Sequence, residues 1–422
     1  MKSRLYLVLV MFLFVTASPL FAAESLTWKQ CVSETKQAHP DLSSALALLQ
    51  QAEADKQITG GTRLPQISIG LNSLERGTSG VGSSSLFSSA LSAQQLLYDG
   101  HKTSSQIASN EEAIKVNRYN YTVVSANLRF ALRSAFTELL KAQNLVGLTV
   151  EIAERRRKNV RLITLRYQGG RENIGSLRQA EADLAQAEFE VLQAERGLVL
   201  AQTMLLSALG RDIHKPIKVQ GGFKAGDYST LKPDLALLVN NNPLLQQLKA
   251  RSKAASYDLD ASRSAFSPKL YLTSSIGRTS PDRWPFDAVD WSAGVTLSVP
   301  LYEGGSGGAK VAKAKAVVVQ QSSQEKSASF KLFEALEESW KSFQDARQAV
   351  AVRKKFLDAA VERATIATAQ YSNGLISFND WVVIEDNLVS AKKGFLNAGA
   401  NMLIAEAQWI QSKGGGLDGQ EE

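Results

Sequence analysis

No proline interrupts the sequence between Gly305 and Ser412, and the stretch turns back on itself at Tyr371-Ser372-Asn373-Gly374. Beyond that turn Trp381, Ile384, Leu388, Ala391, Phe395, Ala398, Met402, Ala405, Trp409 and Ser412 keep a strict 3-4 spacing. That spacing puts them on one helical face, and the missing proline removes the commonest helix breaker. The stretch therefore predicts two very long helices joined at a tip. A second copy runs from about Gly100 to Gly210 and turns at Tyr167-Gln168-Gly169-Gly170. Its descending arm repeats the seam at Leu177, Ala180, Leu184, Ala187, Val191, Ala194, Leu198, Ala201, Leu205 and Ala208. Large residues alternate with alanine, which lets helices approach closely and interdigitate. A seven-residue period held this long predicts left-handed supercoiling. The ascending arm, His101 to Arg166, would be ~100 Å long as one helix. No ordinary globular core needs such an element.

The two hairpins belong to a tandem duplication. His39-Pro40-Asp41-Leu42 matches Asn242-Pro243-Leu244-Leu245, and Leu64-Pro65-Gln66-Ile67 matches Ser267-Pro268-Lys269-Leu270, each 203 residues on. Leu97-Tyr98-Asp99-Gly100 matches Leu301-Tyr302-Glu303-Gly304, and Arg166-Tyr167-Gln168-Gly169-Gly170 matches Gln370-Tyr371-Ser372-Asn373-Gly374, each 204 residues on. A nearly constant offset at four landmarks marks a repeat. The expected organisation is a signal peptide at 1–22, a first repeat at 24–210, a linker at 211–232, a second repeat at 233–413 and a disordered tail at 414–422. Each repeat opens with one helix, Leu26 to about Thr59 and Pro233 to about Ser264. Two strands with period-two alternation follow. They are expected at 66–74 and 87–98, then at 269–277 and 291–302, before helical hairpins at 101–209 and 306–412. Strands of about ten residues span a bilayer when tilted. Tyr271, Trp284, Trp291 and Tyr302 stand near strand ends, as interfacial aromatics do. Four strands cannot close a pore, so a membrane-spanning reading requires several chains to share one barrel.

Bulk properties narrow the classes. Lys2 and Arg4, the apolar run Leu5 to Thr16 and the small-residue exit ending at Ala22-Ala23 read as a secretory signal peptide. Cys31 is the one cysteine and lies too far from that exit to carry a lipid. No later stretch is apolar for the ~18 residues of a helical span, so any crossing must use strands. The formal charge is +7, and removing Lys2 and Arg4 leaves +5 for the mature chain. That thin excess, with no basic stripe between aromatics, gives no case for nucleic acid. Arg155-Arg156-Arg157-Lys158 scatters around a helix and reads as a solvated helix end. His39, His101 and His214 have no companions at ligand spacing, so no metal or cofactor is expected. Gly304-Gly305-Ser306-Gly307-Gly308 lacks the Lys-Ser/Thr finish of a phosphate loop. No nucleophile and base stand in a catalytic pattern, so no enzyme is expected.

The order of these features resembles the outer membrane efflux protein family of the TolC type, from Leu26-Thr27-Trp28 to about Gly414. That resemblance implies a mainly α fold with a small β part. It implies a homotrimer whose chains each lend four strands to a twelve-stranded outer-membrane barrel, continued by an α-helical periplasmic tube. The protein would sit in the outer membrane of a Gram-negative cell, in contact with its lipid and with a large periplasmic part. It would be a passive conduit for drugs, toxins or secreted proteins, meeting a periplasmic adaptor (membrane fusion) protein and an inner-membrane pump of RND or ABC type. Gly169, Gly170, Asn373, Gly374 and Leu375 fall where such tips dock the adaptor. Asp380 and Tyr371 fall at the constriction. Val383 replaces a second aspartate and Ile376 a tip arginine, so the resemblance implies a single ring of aspartates and a closed-state lock that either differs from that of the best-known members or is absent.

Plain structural roles compete for the same residues. Glycines at 169, 170 and 374 are what tight turns need. Ser377-Phe378-Asn379-Asp380 is a capping box that would start the returning helix. The other functional class is a soluble periplasmic coiled-coil adaptor or structural protein. It would carry one helical hairpin inserted into β domains, not two hairpins with two strand pairs.

Overall fold

The computed structural model describes residues 24–80, 82–211, 215–226, 231–280 and 288–419. The expected signal peptide, Trp284 and His214 lie outside the described residues. Two compact units emerge. One gathers Leu132–Lys224 and Ala349–Leu403 with the chain before Lys36, and the other gathers Lys36–Ala131, Ala225–Gln348 and the chain from Ile404.

The second unit holds the sheet. Strands β2 (Gln66–Thr78), β3 (Gly82–Tyr98), β5 (Lys269–Ser280) and β6 (Ala288–Ser298) pair antiparallel in the order β2-β3-β5-β6. The register aligns Ile69, Leu91, Ile276 and Trp291 across all four strands. One position along, it aligns Ser68, Ser92, Ser275 and Ser292, with Ser275 and Ser292 hydroxyls 2.9 Å apart. Successive strand residues face opposite ways. One face thus carries an exposed apolar row and the other a row of hydroxyls, the two-sided wall of a transmembrane barrel. The strands differ from the expected bounds. β2 runs on to Thr78, which pairs with Gly82, and the last strand ends at Ser298, leaving Leu301 and Tyr302 beyond it.

The opening helix of each repeat is two helices. α1 (Trp28–Ala38) stops before α2 (Pro40–Gly61), and α5 (Leu235–Asn241) stops before α6 (Pro243–Arg263). Proline donates no N–H and suits the first helical position. His39 Nδ1 accepts the Asp41 N–H at 3.2 Å, and Asn242 Oδ1 accepts the Leu244 N–H at 3.0 Å, so each pre-proline residue caps the new helix. Leu235, Val239 and Leu245 pack with Leu336, Trp340, Phe343 and Trp409 in this unit's core, where the two indoles lie 5.2 Å apart. The tail is packed over its described part. Leu417 is buried, its N–H donates to Ser125 Oγ at 2.9 Å, and Asp418 pairs with Lys36. The glycine-rich composition predicts disorder. The buried leucine within it supplies the anchor.

The long helices are α3 (Lys102–Gln168), α4 (Ile174–Leu209), α7 (Ser306–Ser372) and α8 (Phe378–Ser412). α3 and α7 have the same length, 67 residues each. In the first unit β1 (Glu24–Leu26) pairs parallel with β4 (Ile217–Val219) to form a small collar. Gln143 on α3 donates to Val219 O at 3.0 Å and accepts from its N–H at 2.8 Å, and Gln202 on α4 donates to Ile217 O at 2.9 Å. Arg211 ties the collar to α1 through Glu24 and Glu34. Cys31 is buried beside it, and burial pushes its thiol up to about 12.

Candidate functional site at the hairpin tips

Both hairpins turn by the same device. Gly170 and Gly374 adopt left-handed φ of 67° and 76°. Arg171 N–H reaches Arg166 O at 2.8 Å and Leu375 N–H reaches Gln370 O at 2.9 Å, the six-to-one bond of a Schellman cap. Asn173 Oδ1 accepts from Ser176 N–H at 3.0 Å to start α4. Ser377 Oγ accepts from Asp380 N–H at 3.2 Å, the N-cap half of the expected capping box, and donates to Asp380 Oδ2 at 2.7 Å, so the carboxylate engages the Ser377 hydroxyl and α8 starts there.

Under these turns lies a core of Ile163, Leu177, Ala180, Ala367, Tyr371, Phe378 and Trp381. Tyr371 is the correction. Assigned to the pore constriction from sequence, it is only 1% exposed and cannot line a lumen in this conformation. Its ring stacks on Trp381 at 4.4 Å and 8°. The Arg166 guanidinium lies 4.6 Å from the same ring and donates to Tyr371 O at 2.9 Å. The phenol donates to Glu172 Oε2 at 2.7 Å, while Ser176 Oγ donates to Oε1 at 2.9 Å. Tyr371 therefore clamps the tip of one hairpin to the tip of the other.

The electrostatics of this clamp are asymmetric. Partial burial works to raise the Glu172 pKa, but bonds from Tyr371, Ser176 and the Asn173 N–H, with the Arg166 charge, hold it below the usual carboxylate value. Burial first, then the bond to Glu172, push the Tyr371 phenol well above its ordinary value. A charged acceptor thus faces a donor that keeps its proton.

Further up the arms, the basic run expected to be solvated is engaged. Arg155 forks onto Glu385 at 2.5 and 2.6 Å, and Glu385 is almost fully buried. Arg156 pairs with Asp386, and Arg157 bridges Glu154 and Glu188 at 2.7 and 2.9 Å. Lys393 reaches Glu190 at 2.7 Å, and Lys392 pairs with Glu151. Sequence reading missed this zipper. Its signal was that Glu385-Asp386 follow their turn by about as far as Arg155-Arg156 precede theirs.

The remaining site residues are exposed. Asp380, Asn373, Gly374, Gly169 and Gly170 all face solvent. Leu375 is 73% exposed, and Leu165, Ile174 and Tyr167 nearby are also open. Val383 is exposed, while Ile376 packs against the tip core and takes no part in a polar lock. Among the described residues no helix is long and apolar enough to cross a membrane.

The profile of the outer membrane efflux protein family matches residues 31–211 and 235–415, one match per repeat. The chain belongs to that family: it is an efflux channel protein of the Gram-negative outer membrane. Outer membrane efflux protein BepC of Brucella suis is 22% identical over 93% of this chain and 89% of its own length. The outer membrane protein VceC of Vibrio cholerae superposes with a TM-score of 0.80 at 19% identity, covering 92% of this chain and 96% of VceC. The open-state MtrE channel of Neisseria gonorrhoeae gives a TM-score of 0.81 at 18% identity, covering 92% of this chain and 89% of MtrE. Two hairpins and two strand pairs, with this membership, set aside the soluble adaptor.

Proposed function

We propose that three copies of this chain share one barrel and form a passive export conduit whose gate is the set of hairpin tips. The observation that carries this is the sheet. Among the described residues its outer strands β2 and β6 each pair on one side only, while one face is apolar and the other lined with serine. An open edge in lipid leaves backbone groups unpaired, so the edges must be closed by further strands. Three copies supply twelve strands. The protein extracted from outer membranes should run as a trimer in mild detergent and as a monomer once denatured. A monomer under mild conditions would overturn the reading.

The clamp of Tyr371, Glu172 and Arg166 holds the closed state in place of the arginine that Ile376 replaces. Asp380, exposed in the first turn of α8, polarises the opening, since three carboxylates around one axis repel each other and attract cations. Unchanged conductance and unchanged divalent-cation block in Asp380→Ala channels in planar bilayers would remove that role. The exposed turn at Gly169 and Gly170, with Asn373, Gly374 and the projecting Leu375, is the docking surface for a periplasmic adaptor that couples the conduit to an inner-membrane pump. A Leu375→Asp variant should keep its fold and lose adaptor co-purification. Full retention of the adaptor would move the docking surface elsewhere.

A further inference from the structure

Glycine is, after proline, the poorest helix former. Beyond its first turn α3 contains one, Gly147, and α4 contains one, Gly197, while α8 contains Gly394 and Gly399 and α7 contains none. Gly399 has a packing reason, because an added Cβ would lie 2.9 Å from Phe223 of the collar segment. The other three have none. A Cβ at Gly147 or Gly197 meets nothing within 4 Å, and at Gly394 it meets only Arg353 Cδ at 3.9 Å. Alanine would fit each site and make a better helix.

Their positions are matched. The collar grips α3 at Gln143, α4 at Gln202 and α8 at Gly399. Each unexplained glycine lies four or five residues towards the tip from its grip. A cavity of about 430 Å³, lined by Gly197, Leu145, Thr149, Lys393 and Asn397 among others, sits at this level. Gly147 falls between two of its lining residues, and Gly394 follows Lys393. The Lys393–Glu190 pair lines this cavity, and towards the tip from it follow the pairs Lys392–Glu151 and Arg155–Glu385.

We infer that Gly147, Gly197 and Gly394 form a hinge belt on which the tip arms bend against the fixed collar when the conduit opens. This rests on the reading that the tips are the gate. The glycines weaken the i→i−4 ladder at one level of three arms, and the cavity gives displaced backbone room to move. α7 has no glycine at this level and acts as the stiff arm.

The test uses full-length protein carrying Gly147→Ala, Gly197→Ala and Gly394→Ala, singly and together. Hydrogen exchange should show faster opening around each glycine than one turn to either side, and each alanine should slow it about fivefold. Uniform protection through these turns in the unsubstituted protein overturns the hinge. In planar bilayers, the triple alanine variant should reverse the added conductance of Tyr371→Phe, and undiminished conductance counts against the hinge. If Tyr371→Phe alone adds no conductance, the tip-lock reading fails, and exchange still decides the hinge. Alanine should also raise the melting temperature. A lower one, with trimer loss, would make the glycines packing sites for a neighbouring copy and overturn the proposal.

Discussion

Tyr371 meets Trp381 of the returning helix against its ring and two partners about 200 positions away, Glu172 on its hydroxyl and Arg166 beside both. Tyr371→Phe keeps the stack and removes only the bond to Glu172. A hydrogen bond to a charged group contributes about 1.5–3 kcal/mol, so the variant should melt earlier and conduct more in bilayers. Trp381→Ala removes the stack and leaves a cavity, costing about 3–5 kcal/mol, and should destabilise the tip more than Tyr371→Phe in thermal melts. The pH dependence has a definite sign. Glu172 is held below its ordinary value of 4.5, so its contribution is complete above that pH and is lost as pH falls through the lowered value. Conductance should therefore rise in acid below about pH 4.5, and Glu172→Gln should flatten that rise. Tyr371 keeps its proton throughout this window, as any phenol does in acid. Glu385→Ala leaves Arg155 without its forked partner. Arg155 is partly exposed, so the cost should fall to about 2 kcal/mol, short of the 3–5 kcal/mol of a fully buried pair. None of these partnerships was legible in sequence. The residues lie up to 230 positions apart, and only the folded hairpins bring them together.

Elements were far more legible than contacts. Apolar spacing and the missing proline located α3, α4, α7 and α8, because a helix of this length has no competing way to satisfy its backbone. Capping chemistry located the start of α8 at Ser377. The breaks before Pro40 and Pro243 were signalled only by the prolines themselves, which open α2 and α6 at the first helical position, and the capping roles of His39 and Asn242 appear only in the geometry. The strands were visible through alternation. What alternation left open was register, which sets Ile69, Leu91, Ile276 and Trp291 in one row and four serines in the next. The rows make opposite predictions. Ile69→Arg puts a charge on the apolar face, at a cost that reaches about 2–4 kcal/mol only at the bilayer midplane and falls towards the interfaces, and should lower the yield of heat-resistant trimer in outer membranes. Ser92→Arg, one position over, should leave that yield unchanged and shift ion selectivity towards anions. Equal yields for both would show that the rows do not face lipid and lumen.

At the scale of the whole molecule, the chain leaves apolar side chains exposed on helices that never meet lipid in the proposed assembly. Phe189, Leu192 and Val199 project from α4 at three- and seven-residue intervals, and Val352 and Phe356 project from α7. Two different stripes, not one self-complementary patch, suit a head-to-tail contact that closes into a ring. Phe356→Glu should leave the chain helical by circular dichroism while shifting it from trimer to monomer on size exclusion in detergent. An unchanged trimer would place the contact elsewhere. The duplication was legible in sequence, whereas the outward direction of these side chains was not, because an alanine seam and an outer stripe share the same seven-residue period.

The equal lengths of α3 and α7 make the repeat a ruler. Each helix adds ~1.5 Å per residue, and the tip clamp closes only when Tyr371 of one arm and Glu172 beyond the other arrive level. Four residues added to α3 alone would carry Glu172 ~6 Å past its partner. Any lineage that lengthens one arm must therefore lengthen the other by the same count, and in steps of seven if the seams are to stay in register. The reach of such a conduit can change only in paired, quantised increments.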